Sequence, residues 1–305
     1  MTNYILRRIF YGILSLWAVV TIVFLIGRAS GDPVSLFVPI DARADDVEYV
    51  RKRLGLDRPV YVQYASYMGG LVQGDFGKSM RWGSPVKDVA FPRLLATLQL
   101  VWLTAIIILA VSIPVGVFSA VKRGKAFDTF GKAFALFGQS APTFWIGLML
   151  IILFAVVWKV LPAGGRGDFR NLILPAFTLG IFGMAAVTRL TRSAMLNVLD
   201  SDYIKMLRAK GVPEQAILWR HALKNASLPV LTLFGLQLVG LMTGAVITET
   251  VFAWPGLGRL AVEAIFARDY AMVQFIVLLG SSLFITMNLI VDILYAYLDP
   301  RIRYT

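Results

Sequence analysis

The sequence predicts an all-α integral membrane protein with six transmembrane helices, and three observations carry that reading. Hydrophobic residues make up 58% of the 305 positions and charged residues only 16%, and the mean hydropathy is +0.71, more apolar than a soluble domain. Uncharged runs long enough to cross ~30 Å of hydrocarbon as helix occur at residues 9–27, 94–121, 133–158, 171–188, 225–248 and 270–291. None of these runs alternates polar with apolar residues, which a membrane β-barrel requires.

Basic residues orient the spans. Arg7 and Arg8, then Lys122, Arg123, Lys125 and Lys132, then the cluster from Arg189 to Lys224, and finally Arg301 and Arg303 fall on one side. The opposite side holds as many basic residues but most of the acids. Most of its Lys and Arg also sit in one long loop, which weighs little in the positive-inside rule. Both termini are therefore predicted to be cytoplasmic. The net charge of +12 then needs no nucleic acid, because anionic headgroups of membrane lipid account for it. The first span follows Arg7 and Arg8 like a secretory signal, but its apolar run is too long and Arg28 occupies the would-be cleavage site. There is no cysteine, which excludes disulfides and thiolate metal sites.

After the first span comes an external segment, residues 28–93. Residues 45–56 read as a helix with Val47, Val50 and Leu54 on one side, and residues 61–72 as another with Tyr64, Met68 and Leu71; Gly74, Gly77 and Gly83 punctuate the remainder of the segment. A loop of this size with an apolar face is a folded cap or a docking surface. The chain thus divides into residues 1–93, the first span with its cap, and residues 94–305, a five-helix core. The second span contains Pro114 and Gly116, the third Gly138, Pro142 and Gly147. Proline inside a membrane helix frees carbonyls and bends the axis, so these spans either line a path or use small residues for packing. Gln139, Ser140 and Thr143 flank Pro142, and Gln237 and Thr243 lie mid-span in the fifth. Such groups bond across helices or line a wet path.

Between the fourth and fifth spans lies a long polar segment that still reads as helix, residues 200–229, with Arg208, Lys210, Arg220, His221 and Lys224. Ser201 or Asp202 can accept the free N–H groups of a helix beginning at Tyr203, and Gly211 can end it in the left-handed conformation. Val212 and Pro213 turn the chain. Pro213 suits the first position of a second helix, residues 213–224, and Glu214 suits its positive end. A solvated linker, a DNA-reading helix-turn-helix and a docking knob for a soluble partner all share this pattern. Tethering to the bilayer on both sides keeps it out of a major groove, and the flanking chain decides between the other two.

Absent features narrow the function. No Asp, Glu, Lys or Arg lies mid-span; Glu249 and Asp292 sit at span ends. Ion-coupled carriers commonly need such groups. No HExxH, P-loop or Gly-x-Ser-x-Gly motif occurs, and the one histidine is His221. No catalytic or metal site is expected, and uphill transport would draw its energy from another polypeptide.

Arg208-Ala209-Lys210-Gly211, Trp219-Arg220-His221-Ala222-Leu223-Lys224-Asn225-Ala226 and Pro229 resemble the cytoplasmic coupling segment of ABC importer permeases of the dipeptide, oligopeptide and nickel type. Gly31-Asp32-Pro33, Leu54-Gly55-Leu56-Asp57 with Pro59, Gly74-Asp75-Phe76-Gly77, Trp254-Pro255-Gly256-Leu257-Gly258 and Asp299-Pro300-Arg301-Ile302-Arg303-Tyr304 resemble blocks of that family's first permease subunit, in order along the whole chain. One departure stands out. The general importer consensus begins Glu-Ala-Ala, where this chain has Lys205-Met206-Leu207; of the remaining consensus positions, Gly211 and Leu223 match. The peptide-type branch is similar in that departure.

The resemblance implies a permease subunit in a bacterial or archaeal cytoplasmic (inner) membrane. It implies a second homologous permease subunit, two ATPase subunits that bind the ATP and Mg, and an extracytoplasmic solute-binding protein; the chain itself carries no cofactor. The implied ATPase-coupling residues are Asp202, Tyr203, Arg208, Ala209, Lys210, Gly211, Val212, Pro213 and Glu214. Gln139, Ser140, Pro142, Thr143, Gln237 and Thr243 are candidates for the path. Trp254, Pro255, Gly256, Leu257, Gly258 and Arg259 are candidates for the rim that docks the binding protein, together with the external helices. Peptides are the favoured cargo, with glutathione or a chelated metal in the same class of solutes. A self-contained carrier or channel, or a membrane scaffold, is the alternative from another class.

Overall fold

The computed structural model describes residues 2–29, 43–53 and 56–298. The Gly31, Leu54-Gly55 and Asp299 blocks lie outside these, as do the side chains of Val47 and Val50. Among the described residues the structure is helical, apart from one isolated bridge between Lys78 and Pro85. The helices are α1 (Thr2–Ala29), α2 (Ala44–Arg53), α3 (Val60–Gln73), α4 (Val86–Val121), α5 (Ala126–Ser140), α6 (Thr143–Leu150), α7 (Arg170–Leu199), α8 (Asp202–Ala209), α9 (Glu214–Ala216), α10 (Leu223–Val251), α11 (Leu257–Phe266) and α12 (Tyr270–Leu298). Wider π-helical turns extend α6 over Ile151–Val157 and join α9 to α10 over Ile217–Ala222.

Five helices are long and apolar enough to cross a membrane, and six spans result if the bent pair α5 and α6 counts as one. The third expected span is not a single rod. It bends by 113° between its two halves, because the ring of Pro142 disfavours helical backbone at the preceding residue and Ala141 is extended at φ −82°, ψ 136°. Pro114, by contrast, sits inside an unbroken helix of 36 residues. The fourth span runs on past its apolar stretch to Leu199. The fifth begins as early as Glu214 and continues as helix to Val251, through the π-helical turn and past Pro229.

The described chain forms two compact units, residues 1–95 with 259–286, and residues 96–258 with 287–305. In the first unit α1 and α12 pair antiparallel: a methyl group at Gly12 would meet Ile285 at 2.9 Å, and one at Gly27 would meet the Tyr270 ring at 3.3 Å. The external helix α3 packs on α1 through Phe24, whose ring stacks with Tyr67 at 5.5 Å and meets the edge of Tyr64 at 5.4 Å. Thr21 and Tyr64 share a hydroxyl hydrogen bond of 2.7 Å. Buried Asp269 accepts from Ser79 Oγ at 2.5 Å and from the Arg81 amide at 3.2 Å, and its other oxygen accepts from the Met272 amide at 3.1 Å in the first turn of α12.

In the second unit α7 is the central element, and most of its apolar length is buried. Ile108, Met184, Ala176, Val187, Val230 and Trp254 belong to its main core. Small residues bring the neighbours close. A Cβ at Gly116 would lie 2.6 Å from Thr191 Cβ and 3.0 Å from the Thr188 carbonyl oxygen, so α4 and α7 are nearly in backbone contact there. A Cβ at Gly183 meets only the flexible end of the Ile108 side chain, at 2.8 Å.

This difference is testable. Gly116→Ala is expected to lose about 1–3 kcal/mol from overpacking, read as a lower melting temperature in detergent, while Gly183→Ala stays near wild type because Ile108 can shift. Equal melting temperatures for both variants would refute the close approach of α4 to α7.

Candidate functional site

The polar helix-turn-helix forms as the sequence predicts at its turn, less so at its ends. Ser201 takes an extended conformation ahead of α8, but its hydroxyl donates back to the Val198 carbonyl at 2.6 Å and caps nothing. Asp202 opens the helix and pairs with Lys205 at 2.8 Å. The expected Ser201 or Asp202 cap is therefore absent, and the chain enters α8 almost directly from α7. Gly211 has φ +74°. Its amide donates to the Arg208 carbonyl at 3.0 Å, and the Val212 amide reaches back to the Leu207 carbonyl at 3.1 Å. That pair of bonds is a Schellman closure, complete with the hydrophobic contact it favours, since Leu207 and Val212 pack on the same cluster. A Cβ at Gly211 would meet open space, so glycine is required by the backbone alone. Pro213 sits just before the second helix rather than at its first position.

Arg208, Ala209, Lys210, Gly211, Val212, Pro213 and Glu214 are thus brought together around one turn, while Asp202 and Tyr203 stand at the other end of α8. Arg208 grips Glu214 across it with bonds of 2.8 and 3.2 Å. The guanidinium holds the Glu214 carboxyl below its ordinary value, against a smaller effect of burial. Both partners are about half exposed, so the pair contributes well under 1 kcal/mol and serves mainly to orient. The Tyr203 hydroxyl and His221 Nδ1 are 3.0 Å apart. Underneath, Ile204, Ile217, Leu218 and Ala222 pack with Val117, Ala120 and Met195 in a cluster of fully or nearly fully buried side chains. Tyr203, Met206 and Trp219 remain exposed.

The second helix does not stop at Lys224 as the sequence reading expects, because nothing from Glu214 to Leu228 is glycine or proline. The polar residues His221, Lys224 and Asn225 mark where the helix leaves the apolar run, not where it ends. The knob and the fifth span are one continuous helix of 38 residues.

Two supports escape the sequence reading. Asp128, completely buried at the start of α5, accepts from Arg192 on α7 at 2.6 and 3.0 Å, from Lys132 at 2.9 Å and from the Gly124 amide at 3.0 Å. The only sequence trace is an acid in a first helical turn with a lysine four residues on. Glu249, also fully buried, accepts a 2.5 Å bond from Thr97, whose hydroxyl in turn accepts from the Leu257 amide at 2.7 Å.

That network removes three of the six docking-rim candidates. Trp254, Gly256 and Leu257 are buried, so they cannot present a surface to another protein. Trp254 Nε1 donates to the Ala96 carbonyl at 3.0 Å, and its amide donates to the Glu249 carbonyl at 2.8 Å. A Cβ at Gly256 would fall on the Glu249 carboxylate, and one at Gly258 would lie 2.7 Å from Val246 Cα. Pro255, Gly258 and Arg259 are partly exposed; Arg259 pairs with Glu263 at 2.9 Å. Among the path candidates, Gln139 and Ser140 end α5, Pro142 and Thr143 form the bend, and Gln237 and Thr243 lie on α10. None of the six is buried. Gln237 and Thr243 are about 120° apart around their helix, so they do not share one face.

A chain of apolar spans that carries a half-polar helix-turn-helix has the build of an integral membrane protein. Residues 112–304 match the family described as binding-protein-dependent transport system inner membrane component, and residues 1–102 match the N-terminal region of such components; the chain belongs to this family. It is 42% identical over 318 residues to the oligopeptide transport system permease protein AppB of Bacillus subtilis, covering all of both chains. It is 40% identical over 337 residues to the dipeptide transport system permease protein DppB of Escherichia coli K12, covering 100% of this chain and 99% of that one. Identity is also 40%, over 305 residues, to the glutathione transport system permease protein GsiC of Escherichia coli K12, again with full coverage of both. Among solved structures, the inward-facing methionine ABC transporter MetNI shares the fold, with a TM-score of 0.59 over 70% of this chain and 98% of that chain at 17% identity.

Removing the Asp128 carboxylate should strand Arg192. Asp128→Ala is expected to cost about 3 kcal/mol, the range for one lost partner of a buried pair, and Asp128→Asn less, since its amide oxygen still accepts. Thermal unfolding in detergent measures both; an unshifted Asp128→Ala transition would rule out the clamp.

Proposed function

We propose that this chain is the permease subunit of an ATP-driven importer that moves di- or oligopeptides, or a similar small solute, from an external binding protein into the cytoplasm. The observation that carries the reading is the rigid knob at Gly211, found in a chain that matches peptide-transport permeases over its whole length. A second permease subunit completes the path, and two ATPase subunits bind ATP and Mg. Each ATPase takes one knob against its surface through the exposed Tyr203 and Met206 and the cations Lys205 and Lys210 around the turn. Because the second knob helix is also the start of the fifth span, a push on Glu214 acts directly on α10. The solute is passed along polar groups such as Gln139, Ser140 and Thr143 at the bend. The chain resides in the inner membrane of a bacterium or archaeon with both ends in the cytoplasm.

Purification from native membrane should therefore recover a second permease and two ATPase subunits. Gly211→Val forces a β-branched residue into left-handed backbone at about 1–2 kcal/mol, which should weaken ATPase retention roughly 5–30-fold. Gly211→Asn, which tolerates that conformation, should retain most of it. Recovery of the chain alone, with solute uptake in liposomes without ATP, would favour a self-contained carrier.

The chain has no cysteine, so single cysteines report orientation without background. Lys210→Cys should react with an impermeant maleimide only after the membrane is opened, and Lys78→Cys in intact cells. Reversed labelling overturns the orientation. Deleting residues 45–56 should abolish stimulation of ATP hydrolysis by loaded binding protein; unchanged stimulation leaves the external helices a seal only.

A further inference from the structure

The turn between α4 and α5 is a built surface that the coupling mechanism does not use. Val121 ends α4, and Lys122, Arg123 and Lys125 come directly after it, all exposed. The turn is held in a fixed shape. Gly124 has φ +76°, its amide donates to buried Asp128 at 3.0 Å, and the Lys125 amide closes onto the Lys122 carbonyl at 3.0 Å. Beside the cations lies a group of aromatic rings. Phe118 meets Phe127 at 6.2 Å and Trp219 at 6.1 Å, and Phe127 meets Phe130 at 6.2 Å. Lys122 Nζ sits 5.5 Å over the Phe127 ring. Phe118, Phe130 and Trp219 are 40%, 59% and 43% exposed, too much apolar surface to face water alone.

The nearby acids do not neutralise this turn. Asp128 is committed to Arg192 and Lys132, and Asp200 lies 3.9 Å from Arg123 with both side chains largely exposed while also acting on Arg208. Cations directly after the end of an apolar run, with aromatic rings at the boundary, fit the headgroup level of a bilayer. The cytoplasmic leaflet carries the anionic lipid that attracts them.

We propose that the α4–α5 turn binds an anionic phospholipid of the cytoplasmic leaflet. Lys122, Arg123 and Lys125 hold its phosphate, and Phe118, Phe130 and Trp219 seat its acyl chains. The leaflet assignment rests on the orientation proposed above, which the cysteine labelling reads separately. Through Arg123 and Asp200 the site adjoins the entry to α8, so its occupant lies next to the coupling knob.

The experiment is native mass spectrometry of the full chain released from vesicles of equal phosphatidylglycerol and phosphatidylcholine. The wild type should retain phosphatidylglycerol preferentially. Lys122→Gln with Lys125→Gln should reduce that preference roughly five-fold per cation removed. The charge-matched pair Lys78→Gln with Lys87→Gln, on the external segment, should leave it unchanged. An undiminished preference in the first pair, or an equal loss in the control pair, overturns the site. Loss of co-purified ATPase subunits with lipid preference intact also overturns it, assigning the turn to a protein partner.

Discussion

Close approach of helices to α7 is the constraint on which the second unit depends. In lipid, apolar side chains gain little from leaving one hydrocarbon environment for another, so helices associate through tight packing and a few internal polar bonds. The second unit meets that demand with Gly116 against Thr191, Gly138 against Ala185 and Gly180 against Thr104. The Ser112 hydroxyl adds a 3.0 Å bond to the Met184 carbonyl. Bulk is sent the other way: Trp102, Leu136, Phe137 and Leu236 are all exposed, which suits lipid or a partner subunit and would be a liability in water.

Buried charge obeys the same constraint. Asp128 and Glu249 are both fully buried, and both serve geometry. Asp128 ties the start of α5 to α7 and fixes the Gly124 turn with the same carboxylate. Glu249 sits where the chain leaves α10, and the Thr97 hydroxyl links it to the Leu257 amide. Asp128, bonded to Arg192 and Lys132, is held rigidly because any departure leaves a buried charge unpaired, and Glu249 is fixed by its bond from Thr97. Exposed pairs such as Lys205 with Asp202 carry no such penalty and leave the knob's outer face free to rearrange against a partner.

Much of this is legible in the sequence for identifiable reasons. The spans follow from uncharged length, α3 from its flanking Pro59 and Gly74, and the Gly211 turn from the conformation only glycine adopts freely. The features that stay hidden depend on partners far away in the chain. Nothing local to Asp128 announces Arg192, 64 residues on, and nothing in Trp254-Pro255-Gly256 announces that its glycine lies against a carboxylate. The burial of Trp254, Gly256 and Leu257 escapes the sequence for that reason: a block of Trp, Pro and Gly reads as an exposed loop until Glu249 and Ala96 are seen to occupy its surroundings. The helix ends mislead in the opposite sense, because polarity mimics termination. A helix stops where a residue cannot continue it, and His221 to Asn225 can.

That continuity bears on how force would travel. A knob joined to its span by a flexible linker could be pulled without moving the membrane segment. Here the path from Glu214 to Val251 is one helix that includes the π-helical turn Ile217–Ala222 and carries Pro229 within its α-helical part. The same turn holds His221, bonded to Tyr203 of α8, and Ile217 and Leu218, buried under α8. Contacts of α8 therefore fall on the turn that leads into α10. The other helix entering the knob, α7, is held by Asp128 through Arg192 only two turns before its end. One side of the knob is tied down by this ion pair, and the other continues directly into the fifth span.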